Sequence, residues 1–339
     1  MKTFSPVRRL DFGRFRLPAA LLLLMLPGLA AAAPDTRRST MKTLCLGRHL
    51  VEVPSDSELK IGYEYAGGPV VTQRNVDRER FLELVAGQER RLQAAQHRAG
   101  GAMLVQRAEP TADSVLLTSW SSATSRRIHA QDFYLHVPAQ RVLYHFTGQS
   151  DETRLQGAVD YYRTLGGAVR YRDAVEIPKE AGFCIDSGFI ARNKLGKEGF
   201  TAGIRARAYP SVSMTLTAYV TGKPDADLLT RVGNVPPGYA KAAAQMKPLR
   251  RGQEDIGPFR GQELLVRADA EGKRSYEFLW ETQGKANSLG FPFISLELST
   301  TGKSDAKGKI VDAPFKSDEE AIGYWDSVLK TLRLRPGAA

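Results

Sequence analysis

Cysteine is all but missing from this 339-residue chain, which carries only Cys45 and Cys184. Histidine is scarce as well, with five residues whose spacing suits no metal site. His49 and His129 have no partner at ligand spacing, and His97 falls near the end of an arginine-rich stretch. His136 and His145 flank a turn between two strand candidates and can meet across a hairpin, but no nearby cysteine or carboxylate completes a set. Gly-x-Ser-x-Gly, phosphate-loop, His-Glu-x-x-His and dinucleotide fingerprints are absent. These gaps disfavour α/β-hydrolases, P-loop enzymes, zinc proteases and nucleotide-cofactor enzymes, so no catalytic residue, metal or cofactor is expected. Beyond residue 33 no apolar run reaches the ~20 residues that a membrane-spanning helix needs.

The first 33 residues read as a secretory signal peptide. Arg8, Arg9, Arg14 and Arg16 supply the basic start, Leu17 to Leu29 the apolar centre, and the alanines at 30 to 33 the small-residue cleavage region. An uncleaved anchor is the alternative, but Pro27 and Gly28 interrupt the run. Removing residues 1–33 takes away Lys2, the four arginines and Asp11, and lowers the formal charge from +11 to +7. No basic run is interleaved with aromatics, as a nucleic-acid surface requires. An acidic protein partner or an anionic membrane surface suits the charge better. About 306 residues remain, more than one core usually serves, which predicts two domains.

A repeat supports that division. AVDYYRTLGGAVRYRD (158–173) and AIGYWDSVLKTLRLRP (321–336) align without a gap, each reading as a helix and then a short strand. Leu155, Ala158, Val159, Tyr162 and Leu165 form one apolar helical stripe; Ala321, Ile322, Trp325, Val328, Leu329 and Leu332 form another. Ser317 followed by Glu320 predicts a capping box at the start of the second helix. TLCLGRHLVEVP (43–54) and GFCIDSGFIARN (182–193) then open two related modules, 42–173 and 182–336, joined by residues 174–181, where Pro178 discourages continuous helix or sheet.

Residues 77–98 predict an amphipathic helix with Phe81, Leu84, Val85 and Leu92 inward. Strands are predicted at 114–120, 133–137, 141–146, 211–220, 262–268, 274–280 and 293–298, and short helices at 224–232 and 239–246 around the Val235–Gly238 break. The fold class expected is α+β: two related modules, each a mainly antiparallel sheet with packed helices.

Two features invite chemistry. Asp186-Ser187-Gly188 follows apolar residues as in aspartic proteases, whose mechanism needs a second carboxylate sharing one proton. The matching stretch at Cys45 has no acid, which leaves a dimeric enzyme as the only form of that reading. The second feature is the cysteine pair. In an exported protein Cys45 and Cys184 read as a disulfide joining the two opening strands, with two buried thiols as the alternative.

CLGRHLVEVPSDSELKIGYEY (45–65), GFCIDSGFI (182–190), EFLWETQGKANSLGFPFISLELST (277–300) and SDEEAIGYWDSVLKTLRLRPG (317–337) together resemble a known family. It comprises the periplasmic immunity proteins that protect bacteria against their own type VI secretion phospholipase effectors, in the group cognate to lipase effector type four. The resemblance implies a two-domain periplasmic inhibitor, monomeric when free and without chemistry of its own. It would bind a cognate secreted lipase and obstruct the opening its lipid needs. The matching residues are structural, so the partner interface stays unassigned; the polar loops 192–199 and 300–309 are candidates by exposure, with a plain solvated loop as the other reading. Two further functions stay open: an envelope- or lipid-binding module that uses the basic face, and the dimeric hydrolase.

Overall fold

A two-residue period builds most of the molecule. The computed structural model describes residues 40–233, 246–270, 273–300 and 315–339, and the signal segment, the predicted helix at 239–245 and the loop at 301–309 lie outside them. The strands are β1 (Met41–Leu46), β2 (His49–Pro54), β3 (Glu58–Tyr65), β4 (Gly68–Arg74), β5 (Leu104–Ala108), β6 (Ser114–Ser122), β7 (Ser125–Val137), β8 (Val142–Asp151), β9 (Val169–Tyr171), β10 (Phe183–Ile185), β11 (Gly188–Ile190), β12 (Glu198–Arg205), β13 (Ser213–Tyr219), β14 (Met246–Gln253), β15 (Gln262–Ala270), β16 (Lys273–Thr282), β17 (Phe293–Ser299) and β18 (Arg333–Leu334). Helices are α1 (Arg78–Ala94), α2 (Glu152–Leu155), α3 (Ala158–Ala168), α4 (Leu228–Val232) and α5 (Asp318–Leu329).

Twelve strands form one antiparallel sheet in the order β14-β15-β16-β17-β13-β12-β3-β4-β8-β7-β6-β5. Outward from the centre, β3-β4-β8-β7-β6-β5 repeats the succession β12-β13-β17-β16-β15-β14. The two related halves therefore meet at equivalent strands, β3 and β12, paired antiparallel from Glu58 opposite Arg205 to Tyr65 opposite Glu198. An antiparallel pair of equivalent strands is what a two-fold relation between the halves produces. The α+β class and the two related modules are therefore both present in the structure.

The hairpins that carry the cysteines are exchanged between the halves. β1 and β2 form a small sheet with β18, the last strand of the chain, through Arg333 opposite Leu50 and Leu334 opposite His49. β10 and β11 form the other with β9, at the end of the first half, through Gly188 opposite Tyr171 and Ile190 opposite Val169. Each hairpin thus pairs with the strand that closes the other half, and a linear boundary at 174–181 cuts both small sheets.

Helical stripes decide which helix faces are buried. Ala158, Tyr162 and Leu165 of α3, and Ala321, Trp325, Val328 and Leu329 of α5, enter the main core with Tyr144, Phe200, Phe278 and Trp280. Leu155 belongs to the separate turn α2, so the first stripe is shorter than its spacing predicts. Phe81 and Val85 of α1 cover Val115, Leu117, Tyr134 and Leu143 on the other face of the sheet. Asp77 Oδ1 accepts from Arg80 N at 2.9 Å and Ser317 Oγ from Glu320 N at 3.2 Å, satisfying amides that helix starts leave free. Glu320 Oε2 accepts from Lys316 N at 2.5 Å, one residue before the reciprocal partner of a capping box.

Strands β3, β4, β5, β12 and β14 add to those predicted. Met246, expected to end a helix, instead opens β14. That strand lies at the sheet edge, and its register shifts between Pro248 and Arg250, where an edge tolerates a residue without an amide donor. Residues 198–199 of the predicted 192–199 loop belong to β12 and are buried.

Candidate functional site

Asp186 and Ser187 form a two-residue turn between β10 and β11, closed by Ile185 opposite Gly188. Ser187, the second residue of the turn, takes a left-handed φ of 51°, as a type II turn requires there. Thr72 Oγ1 donates to Asp186 O at 3.0 Å and Tyr144 OH to Ser187 O at 2.5 Å, fastening the turn to the large sheet. The Asp186 carboxylate pairs with Arg74, whose Nε also donates to Ser187 Oγ at 2.8 Å. A shared-proton dyad needs a second carboxyl group; Asp186 has a guanidinium in its place.

The histidines are packed apart. His136 Nε2 lies 2.9 Å from Val76 O and its ring stacks on Phe81, whereas His145 Nε2 lies 2.8 Å from Asp132 Oδ1 with its ring stacked on Tyr134. They are diagonal neighbours in the β7–β8 register, yet each is committed to its own partner. His97 Nδ1 accepts from Ala99 N at 3.0 Å, and His129 packs on Trp120 at 4.5 Å. His49 is buried between Phe200 and Phe259, and burial beside Arg48 pushes its pKa down to about 3. Among the described residues no group of three or more histidine, cysteine or carboxylate side chains is placed to hold a metal ion.

What the sequence does bring together is a clasp. Cys45 and Cys184 form a disulfide, with Cα atoms 5.9 Å apart. Next to it Gly47 and Cys184 exchange backbone hydrogen bonds of 3.0 and 2.8 Å, linking the two exchanged hairpins directly. A Cβ at Gly47 would lie 2.7 Å from the Phe183 ring, and its φ is 55°, so the contact demands glycine.

Arg48, in the β1–β2 turn, is buried and grips Glu198 of β12 with both Nε at 2.5 Å and Nη2 at 3.1 Å. It also donates to Arg192 O at 3.0 Å and to Ala338 O. Burial raises the Glu198 pKa and the Arg48 guanidinium opposes that rise. A pair this deep adds little net stability, but removing one partner strands the other. The cavity beside Arg48, His49 and Glu198 holds about 10 Å³, room for one water at most.

Two further buried arginines occupy matching places in the repeat. Arg172 follows β9 and Arg335 follows β18, and their amides donate to the second residue of opposite hairpin turns, Ser187 O at 3.1 Å and Arg48 O at 2.8 Å. Their guanidinium groups end on main-chain carbonyls: Arg172 on Gly188, Ile185, Asp173 and Glu176, Arg335 on Pro178, Glu180 and Gly182. Both arginines lie inside the aligned repeat, 158–173 and 321–336, yet sequence reasoning missed this role. The signal was there, since an arginine recurring at one place in an otherwise apolar repeat asks for a buried acceptor.

Fold and junction define a class of protein: two related antiparallel halves fastened to each other by a disulfide, an ion pair and carbonyl-capping arginines. The family described as Tle cognate immunity protein 4 matches the chain twice, its N-terminal domain over residues 42–140 and its C-terminal domain over residues 176–337. The chain belongs to that family.

Among solved structures it is similar to a chain in the crystal structure of the Tle4–Tli4 complex, with a TM-score of 0.81 and 30% identity over 88% of this chain and 98% of that one. It is similar too to the apo structure of the immunity protein TplEi of the type VI secretion system from Pseudomonas aeruginosa, at TM-score 0.79, 29% identity, and the same coverage of 88% and 98%. TplEi complexed with the "L" peptide gives 0.73 and 30% over 87% and 98%. A search of curated proteins found no match.

Proposed function

We propose that this chain binds a cognate type VI secretion Tle effector in the periplasm and neutralises it by covering the opening through which lipid enters. One observation carries the reading: the chain shares fold and 30% identity with a chain of the Tle4–Tli4 complex over 98% of that chain's length. The signal pattern in residues 1–33 and the Cys45–Cys184 disulfide both suit an oxidising, exported setting. Among the described residues no helix is long and apolar enough to cross a membrane.

The reading assigns the chain no catalytic step, because its most reactive-looking turn is tied up by Arg74, Thr72 and Tyr144. Modules 42–173 and 182–336 act jointly, as parts of one binding surface, and the positive charge speeds encounter with an acidic partner. The test is co-production in the periplasm with its cognate Tle effector. Cells carrying both should survive where the effector alone kills; equal killing refutes the reading.

A further inference from the structure

The connection between the halves is held more firmly than a linker requires. Arg172 Nη1 donates to Asp173 O at 3.1 Å and Glu176 O at 2.9 Å. Arg335, its counterpart in the repeat, donates to Pro178 O, to Glu180 O at 2.9 Å and to Gly182 O at 2.8 Å. The two side chains belong to residues only 5% and 0% exposed. Arg170 adds ion pairs to Glu176 and Glu180, both at 2.7 Å, and Asp173 Oδ1 accepts from Val175 N at 3.2 Å. One arginine from each half thus grips one end of the connection.

Its side chains point the other way. Val175 is 86% exposed and Ile177 42%. Single exposed apolar residues are ordinary on protein surfaces. Two on one short segment, whose backbone is fixed by buried guanidinium groups, are different: the ordering that a flexible loop would undergo on binding has already taken place. Branched side chains with little rotamer freedom add to that preorganisation.

We infer that residues 174–177 form a rigid apolar knob, with Val175 at its tip, that seats in an apolar groove of the Tle effector. The inference rests on the proposed immunity function and names where the partner is held. The groove is apolar because the side chains it receives are; Arg170 keeps Glu176 paired, so that charge enters the contact compensated.

The test uses the full mature chain and its purified cognate Tle effector. The double variant Val175→Ser with Ile177→Ser should raise the dissociation constant at least fivefold; Val175→Ser alone, at the 86% exposed tip, should weaken binding with its unfolding midpoint unchanged, because that side chain is not packed in the free chain. Leu82→Ser, at an exposed apolar position on α1, should leave affinity as it was. A change below fivefold in the double variant overturns the inference, as does a loss confined to self-association or to binding of anionic vesicles. If the unaltered chain fails to bind the effector, the proposed function falls first, and the two failures are distinguishable.

Discussion

Replacing Cys45 and Cys184 by alanine removes a bridge that closes 139 residues of chain. Loop-closure entropy for so long a separation sets the loss at about 5 kcal/mol. Alanine avoids leaving a buried hydroxyl unpaired, which would add its own cost. The folded state should survive, because the Gly47–Cys184 backbone pair joins the same hairpins without the sulfurs and the Arg48–Glu198 ion pair ties the first hairpin to β12. Native strain and residual structure usually reduce the entropic figure, giving an expected loss of about 3–5 kcal/mol. With a urea dependence of about 3 kcal/mol per molar for a chain of this size, the midpoint should fall by about 1–1.7 M. Fluorescence of the buried Trp280 and Trp325 reads the transition. Because each small sheet takes strands from both halves, one transition is expected with or without the bridge. A midpoint within about 0.3 M of the native protein, or two separate transitions in the oxidised protein, would refute the reasoning.

The other predictions concern buried charge. Folded His49 resists protonation down to about pH 3, whereas an unfolded histidine takes a proton near 6.5. The stability this gives is full above 6.5 and is lost on acidification, by about 1.4 kcal/mol per pH unit, until the folded pKa is reached. His49→Leu should therefore flatten the stability profile between pH 6.5 and 4 in urea unfolding; parallel profiles for variant and native protein would contradict it. Arg335→Met leaves the carbonyls of Pro178, Glu180 and Gly182 without their donor and should cost about 3–5 kcal/mol, whereas Arg74→Met, at an exposed pair, should cost about 0–1 kcal/mol. Equal midpoint shifts in the two variants would show that the buried arginine is no clamp.

Local patterns carried much of this architecture. Val212 to Val220 alternates cleanly and becomes β13; Ser317 to Leu332 announces its helix by cap and stripe. Leu59, Ile61, Tyr63 and Tyr65 alternate just as well, so β3 was legible though unread. Strand β14, MKPLRRGQ, was not, because an edge strand needs neither an apolar face nor every amide. The hairpin exchange is hidden for a different reason. β9 and β18 carry the same apolar-Arg pattern, so composition cannot say which hairpin pairs with which; chain connectivity and packing decide.

At the candidate site, the Cys45–Cys184 pairing followed from the count of two cysteines and the exported setting expected of the chain, whereas Arg74 as the partner of Asp186 had no local signal. Glu198 looked like a loop residue because its value lies in Arg48, 150 residues away in sequence. The strapped connection was read as a plain linker, since Pro178 marks a chain break equally well whether or not something holds it.

The measurement that bears most directly on the central claim is a titration of the purified Tle effector with the mature, oxidised chain, following release of fatty acid from phospholipid vesicles. The account predicts that activity falls linearly to near zero at one equivalent, with a one-to-one complex by light scattering. Activity that persists with several equivalents present, or inhibition that appears without a complex, would contradict it.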